Sequence, residues 1–68
     1  MNDAYKNILD QLDVLINALG KAEVARRLYI SRATLYNWIK HPEKMTIQNV
    51  IDLKTLYSSW QIFERMTK

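Results

Sequence analysis

The chain has 68 residues, 49% of them apolar, and a formal net charge of +3. A chain of this length forms one domain, predicted to span residues 1–68, which buries only about 60% of the surface that its unfolded form exposes. The chain contains no cysteine and a single histidine, which excludes a disulfide framework and a thiolate metal site. We therefore expect no cofactor, and one glycine with one proline argue against a turn-rich all-β fold.

The positive charge is concentrated in the middle third of the chain. Residues 21–44 carry six Lys or Arg against two Glu, whereas residues 1–20 carry one Lys against three Asp. This asymmetry is typical of a protein that binds a polyanion. No apolar run approaches the roughly 20 residues that span a bilayer, and no signal peptide is visible. We expect a cytoplasmic protein with no membrane partner.

The first helix is predicted from apolar residues that recur at helical spacing between Tyr5 and Leu19. Asn2 or Asp3 is the expected N-cap, and Gly20 is the expected end, because glycine accepts the left-handed conformation that closes many helices.

Two short helices are predicted within residues 21–40. Ser31 is a favourable N-cap for the second of them, and Ile30 before the cap is placed to pack on Leu35. Pro42 ends that helix, because the residue before a proline avoids the helical region. The expected inward-facing residues of the pair are Val24, Ala25, Leu28, Leu35, Trp38 and Ile39.

The C-terminal segment, residues 46–67, is predicted to be helical, with Thr46 as its N-cap. Apolar residues recur through it, and Ser58-Ser59 marks either a break between two helices or a tolerated pair within one. The whole chain therefore reads as all-α with four or five helices. The last apolar cluster either folds back onto the first helix or forms a two-fold dimer interface; its members are Trp60, Ile62, Phe63 and Met66.

The helix pair within residues 21–40 is suited to DNA. Ala25 is small enough to let the two helices cross closely, and such a pair can place its second helix in the major groove. Arg32 can pair with guanine and Asn37 with adenine. The candidate base contacts are Ser31, Arg32, Ala33, Tyr36 and Asn37. The candidate phosphate contacts, which set register rather than sequence choice, are Lys21, Thr34, Lys40, His41 and Lys44.

Residues 21–40 resemble the helix-turn-helix of the Cro and lambda-repressor (XRE-like) regulators of bacteria and phages. The resemblance rests on Ala25, on Ile30 in the turn, on Leu35, and on Trp38-Ile39. Residues 42–56, a proline-containing loop before an apolar helix, extend it, so that roughly residues 5–57 are covered. It implies a lambda-repressor-like domain of four to five helices in which the five candidate base contacts face DNA.

Two positions depart from the family pattern. Tyr29 stands in the turn where the family usually has glycine, so we expect a left-handed or shifted backbone there. Lys21 stands where many members have a glutamine that contacts phosphate. The string Ile-Ser-Arg-Ala-Thr-Leu-Tyr also resembles the ends of Fis-type activators and of some transposases and resolvases, but 28 residues follow Lys40, which favours the Cro-like interpretation.

The sequence favours a homodimeric, Cro-like transcriptional repressor that binds a palindromic operator. One alternative is an excisionase-like accessory protein of recombination. Another is an antirepressor-like protein-interaction module whose basic helix only keeps it soluble. We expect no enzyme and no small-molecule substrate, because the carboxylates are scattered and neither a nucleophile–base pair nor a phosphate-cradling glycine loop is present.

Overall fold

The computed structural model describes residues 3–66, with Asp3 and Ala4 described by their backbone alone. These residues form four α-helices and one turn of 3-10 helix, and they contain no strand, which confirms the all-α prediction. The elements are α1 (Asp3–Leu19), α2 (Lys21–Arg27), α3 (Arg32–Lys40), the 3-10 turn (Pro42–Lys44) and α4 (Ile47–Met66). Of the two caps predicted for α1, Asp3 is already the first residue of the helix, whereas Asn2 lies outside the described residues, as does the helical end predicted at Thr67.

Gly20 alone joins α1 to α2. Its N–H donates to the Ile16 carbonyl (2.8 Å), which completes α1, and its carbonyl accepts from the Val24 N–H (3.1 Å), which begins α2. The backbone has φ +91° and ψ 154°, a region that essentially only glycine occupies. Gly20 therefore ends α1 as predicted, although through a more extended conformation than the left-handed helical one.

The core is formed by one face of each α-helix. Among the residues whose side chains are described, nine are buried: Ile8, Leu12, Leu15, Val24, Ala25, Leu28, Leu35, Trp38 and Leu53. Helix α4 packs mainly along α1, and Leu53 is its one buried residue among those described. Because burying a Leu side chain stabilises a fold by about 1.5–3 kcal/mol, these few contacts dominate the stability of so small a domain.

Helix α4 is continuous through Ser58-Ser59, so the segment forms one helix of 20 residues, about 30 Å long. Its start is capped reciprocally: the Asn49 N–H donates to Thr46 Oγ1 (3.1 Å), and the Thr46 N–H donates to Asn49 Oδ1 (3.0 Å). Two backbone donors of the first turn are thereby satisfied, as in a capping box, and the predicted N-cap at Thr46 is confirmed.

The apolar residues of α4 lie on two opposite faces. Half-buried Val50, Leu56, Tyr57 and Trp60 surround Leu53 on the face toward α1, whereas Ile47, Ile51, Ile62 and Met66 are exposed. At 100° per residue, Ile51 and Ile62 point directly away from Leu53. We call these four exposed residues the outer face of α4.

The predicted inward position of Ile39 is wrong. Its side chain is 37% exposed and lines a shallow groove against Leu9 and Ile16 of α1. Leu35 and Trp38 occupy the centre of the face that α3 presents to the core, which leaves Ile39 at the edge.

Candidate nucleic-acid interface

The turn between α2 and α3 is closed by two backbone hydrogen bonds. The Ile30 N–H donates to the Ala25 carbonyl (3.0 Å) and the Tyr29 N–H donates to the Arg26 carbonyl (3.2 Å). This is the Schellman pattern, whose C′ residue adopts the left-handed conformation and is usually glycine. Here that residue is Tyr29, with φ +58° and a side chain that is 94% exposed. The left-handed backbone expected at Tyr29 is confirmed.

The orientation of α3 is set by residues buried between the helices. Ala25 and Val24 of α2 and Leu35 and Trp38 of α3 are all buried, and Ile30 of the turn packs against the same cluster. Interiors are close-packed, so side chains of these sizes define how closely the two helices approach. The face of α3 opposite this cluster is consequently held outward on a rigid support.

Ser31 caps α3, as predicted. Its Oγ accepts a hydrogen bond from the Thr34 N–H (3.1 Å), and its hydroxyl lies 3.0 Å from Thr34 Oγ1. The two hydroxyls that the sequence analysis assigned to a base contact and a phosphate contact are thus bonded to each other. Their first role is to fix the opening turn of α3, which carries Arg32.

The outward face of α3 is polar and cationic. Ala33, Tyr36, Asn37 and Lys40 are exposed and follow the i, i+3, i+4, i+7 spacing of one helical face, and Arg32 is exposed in the first turn. Helix α3 contains no carboxylate. Within residues 3–66, the side chains of Arg32, Asn37 and Lys40 make no hydrogen bond or ion pair, so their polar groups are available to a ligand.

Lys21 and Tyr36, assigned to a phosphate and a base contact respectively, touch each other. Lys21 Nζ donates a hydrogen bond to Tyr36 Oη (3.3 Å) and lies 4.8 Å from the centre of the ring. The ammonium therefore bonds to the hydroxyl and also lies over the ring, within the range of a cation–π interaction. Sequence reasoning missed it because the two residues are 15 positions apart and meet only through the packing of α2 on α3.

Two of the six cations in residues 21–44 share a single carboxylate within α2. Arg26 Nη2 and Arg27 Nε both donate to Glu23 Oε2, at 2.6 Å and 2.7 Å. These hydrogen bonds lower the pKa of Glu23 from 4.5 to about 2, and the bond from Arg26 has the larger effect, followed by that from Arg27. Outside this cluster, the cations of residues 21–44 that have no protein partner within residues 3–66 are Arg32 and Lys40 of α3 and Lys44 of the following turn, whereas Lys21 contacts Tyr36.

The loop after α3 carries the remaining candidates. His41 Nδ1 lies 3.5 Å from Glu43 Oε2, so this carboxylate competes for a protonated imidazole. Lys44 is exposed, and within the described part of the chain its side chain has no partner. Lys40 and Lys44 thus flank the outward face of α3 as free ammonium groups, whereas His41 does not.

The four candidate interface residues of α4 separate into two groups. Trp60 is half-buried against the core and stacks obliquely on Tyr57, with ring centroids 6.1 Å apart. Ile62, Phe63 and Met66 are 57%, 62% and 78% exposed. Trp60 thus folds back onto the core, which is one of the two expectations for this cluster. The other three residues form an exposed apolar surface.

Comparisons of this chain with family models, with curated proteins and with solved structures find no match. Among the described residues, no helix combines the length and the apolar character needed to cross a membrane.

Proposed function

We propose that this protein binds double-stranded DNA sequence-specifically, with α3 in the major groove, and that it acts as a transcriptional regulator of the Cro-like repressor type. The observation that carries the proposal is the outward face of α3: polar, cationic, free of carboxylates and backed by a buried face. The family resemblance of residues 21–40 supports the same assignment. The site of action would be the cytoplasm of a bacterial host.

The side chains on this face suit the two kinds of contact that a DNA reader makes. Arg32 projects from the first turn, where two parallel N–H groups of its guanidinium can donate to guanine O6 and N7. Asn37 can pair with adenine in a similar way. Lys40 and Lys44, at and just after the C-terminal end of α3, can neutralise phosphates beside the groove. Phosphate contacts place the helix, and base contacts give it sequence preference.

A homodimer is part of the proposal. One reading helix makes only a few base contacts, and a second copy about 34 Å away, one turn of DNA, doubles them on a palindromic site. The exposed Ile62, Phe63 and Met66 at the end of α4 give the two copies an apolar surface of the kind enriched in homodimer interfaces. Trp60 is left out of this interface because it serves the core.

In vitro selection of bound duplexes from a random pool tests ligand and stoichiometry together. A symmetric consensus supports a dimeric reader, and binding that weakens steeply with salt supports phosphate contacts through counterion release. An asymmetric consensus would favour the excisionase-like alternative. Failure to select any duplex would refute DNA recognition and favour the protein-interaction module.

Sedimentation of the double variant Ile62→Ser, Phe63→Ser tests the dimer separately. The expected result is a dimer for the native chain and a monomer for the variant, with unchanged helical content because both side chains are exposed. Ile47→Ser is the matched control on the first turn of α4. A monomeric mass for the native chain, with and without the selected DNA, would discard the dimer.

A further inference from the structure

The contact between Lys21 and Tyr36 bears on how bases are chosen. We infer that Lys21 is a positioning residue for sequence recognition: its ammonium holds the Tyr36 hydroxyl so that the hydroxyl donates a hydrogen bond to an acceptor on a base edge. This inference rests on the proposed function, because it requires α3 to enter the major groove. It gives Lys21 a role beyond the phosphate contact expected from the sequence.

The direction of the hydrogen bond carries the inference. A lysine ammonium has donors and no acceptor, so Tyr36 Oη must accept in the 3.3 Å bond with Lys21 Nζ. The hydroxyl proton is then directed elsewhere. Tyr36 remains partly exposed on the same helical face as Ala33, Asn37 and Lys40, so the direction open to this proton is outward, toward a ligand.

The charge of Lys21 determines which groups the hydroxyl prefers. A second donor approaching Tyr36 Oη would meet the ammonium already bound there, whereas an acceptor meets both a free O–H and a nearby positive charge. The major groove offers acceptors at purine N7, guanine O6 and thymine O4, and donors at the amino groups of cytosine and adenine. Tyr36 should therefore favour a base that presents an acceptor and disfavour cytosine at that position.

A matched set of variants tests this: Lys21→Met, Tyr36→Phe, both together, and Lys44→Met as the control for a lysine without a protein partner. Each is titrated against the selected duplex and against duplexes changed one base pair at a time. Lys21→Met and Tyr36→Phe should lose preference at the same base pair, by roughly 3- to 10-fold, the range for one hydrogen bond. The double variant should lose no more than either single variant.

The remaining outcomes separate the inference from its premise. If Lys21→Met weakens binding to every duplex equally, as Lys44→Met should, then Lys21 and Tyr36 meet a phosphate or act independently, and the inference is overturned. If the native chain selects no duplex, it is the proposed function that fails. Lys21→Arg should retain the preference, because a guanidinium also donates to the hydroxyl.

A measurement on the free protein guards against an effect of misfolding. Lys21 is exposed, so Lys21→Met should leave the melting temperature unchanged. The NMR signals of the Tyr36 ring should nevertheless shift, because the ammonium no longer lies beside the hydroxyl. Unmoved ring signals would contradict the contact itself.

Discussion

Helices α3 and α4 both present a face that nothing in the described chain covers, and the two faces differ in chemistry. That of α3 carries the cations Arg32 and Lys40 and hydrogen-bonding groups, with no carboxylate. The outer face of α4 carries exposed Ile47, Ile51, Ile62 and Met66. Charged groups suit a highly charged ligand that stays hydrated, whereas apolar groups gain by leaving water against another apolar surface.

An uncovered helix face can therefore be assigned to a class of partner by its composition. Each helix buries its opposite face in the same core, through Leu35 and Trp38 of α3 and Leu53 of α4. The inner faces therefore determine stability, and under the proposed function the outward face of α3 and the C-terminal end of α4 determine binding. Substitutions on the two sides of one helix should separate these effects.

The largest expected effect is on the inner face of α4. Leu53→Ala removes a fully buried side chain and should lower the free energy of unfolding by about 2–5 kcal/mol, measured by urea denaturation. Ile51→Ala, on the opposite side of the same helix, should change it by less than about 0.5 kcal/mol. Equal losses would show that the outer face of α4 is covered in solution.

On the outward face of α3, Arg32→Ala should cost about 1–3 kcal/mol of binding to the selected duplex and relax the choice of base at one position. Lys40→Ala should instead weaken binding to all duplexes alike and lower the salt slope by about one. Neither should change the melting temperature. A selected duplex bound as before by the Arg32 variant would show that α3 is not the reading helix.

The two N-caps allow a direct comparison of the helices. Ser31→Ala and Thr46→Ala should each lower the free energy of unfolding by about 1 kcal/mol, because each removes a side-chain acceptor from a first-turn N–H. Only Ser31→Ala should also weaken DNA binding, since it loosens the turn that carries Arg32. Mobility shift and thermal melting on both variants check this, and equal binding losses would contradict it.

Tyr29→Gly should stabilise the protein by about 0.5–1 kcal/mol. Glycine removes the strain of the left-handed backbone at φ +58°, and this gain exceeds the added entropy of the unfolded chain. Tyr29→Ala keeps the strain and, because the side chain is exposed, should leave stability nearly unchanged. If Tyr29→Ala were also more stable than the native chain, the gain would come from removing the tyrosine side chain rather than from relieving backbone strain.

The smallest effect concerns pH. The pKa of Glu23 is about 2 in the folded chain against an ordinary 4.5, so its contribution is complete above pH 4.5 and is lost as the pH falls through about 2. Urea midpoints measured between pH 7 and pH 2 should fall less for Glu23→Gln than for the native chain. Asp13→Asn is the control, and 1 M salt should shrink the difference.

Local signals in the sequence predicted much of α2 and α3. The N-cap at Ser31, the end at Gly20 and the buried Leu35 and Trp38 each depend on a few neighbouring residues, and all four are found. The unusual backbone at Tyr29 followed from comparing one position with a family pattern. These features need no knowledge of how distant elements pack.

What the sequence could not predict depends on how helices dock. Apolar residues recur on both sides of α4, so spacing alone does not decide whether Trp60 or Phe63 meets the core; the packing of α4 along α1 decides it. The contact of Lys21 with Tyr36 depends likewise on the crossing of α2 and α3. Sequence periodicity identifies helical faces, but not the partner of each face.

The connection through Gly20 alone fixes how α2 is placed and oriented relative to α1. An added or deleted residue there would break the two backbone hydrogen bonds that Gly20 makes to Ile16 and Val24, and would displace α2 and all that follows relative to α1. The buried faces of α2 and α1 would then no longer meet. Insertions at this position should therefore lower the free energy of unfolding, because they act directly on the connection between the two helices.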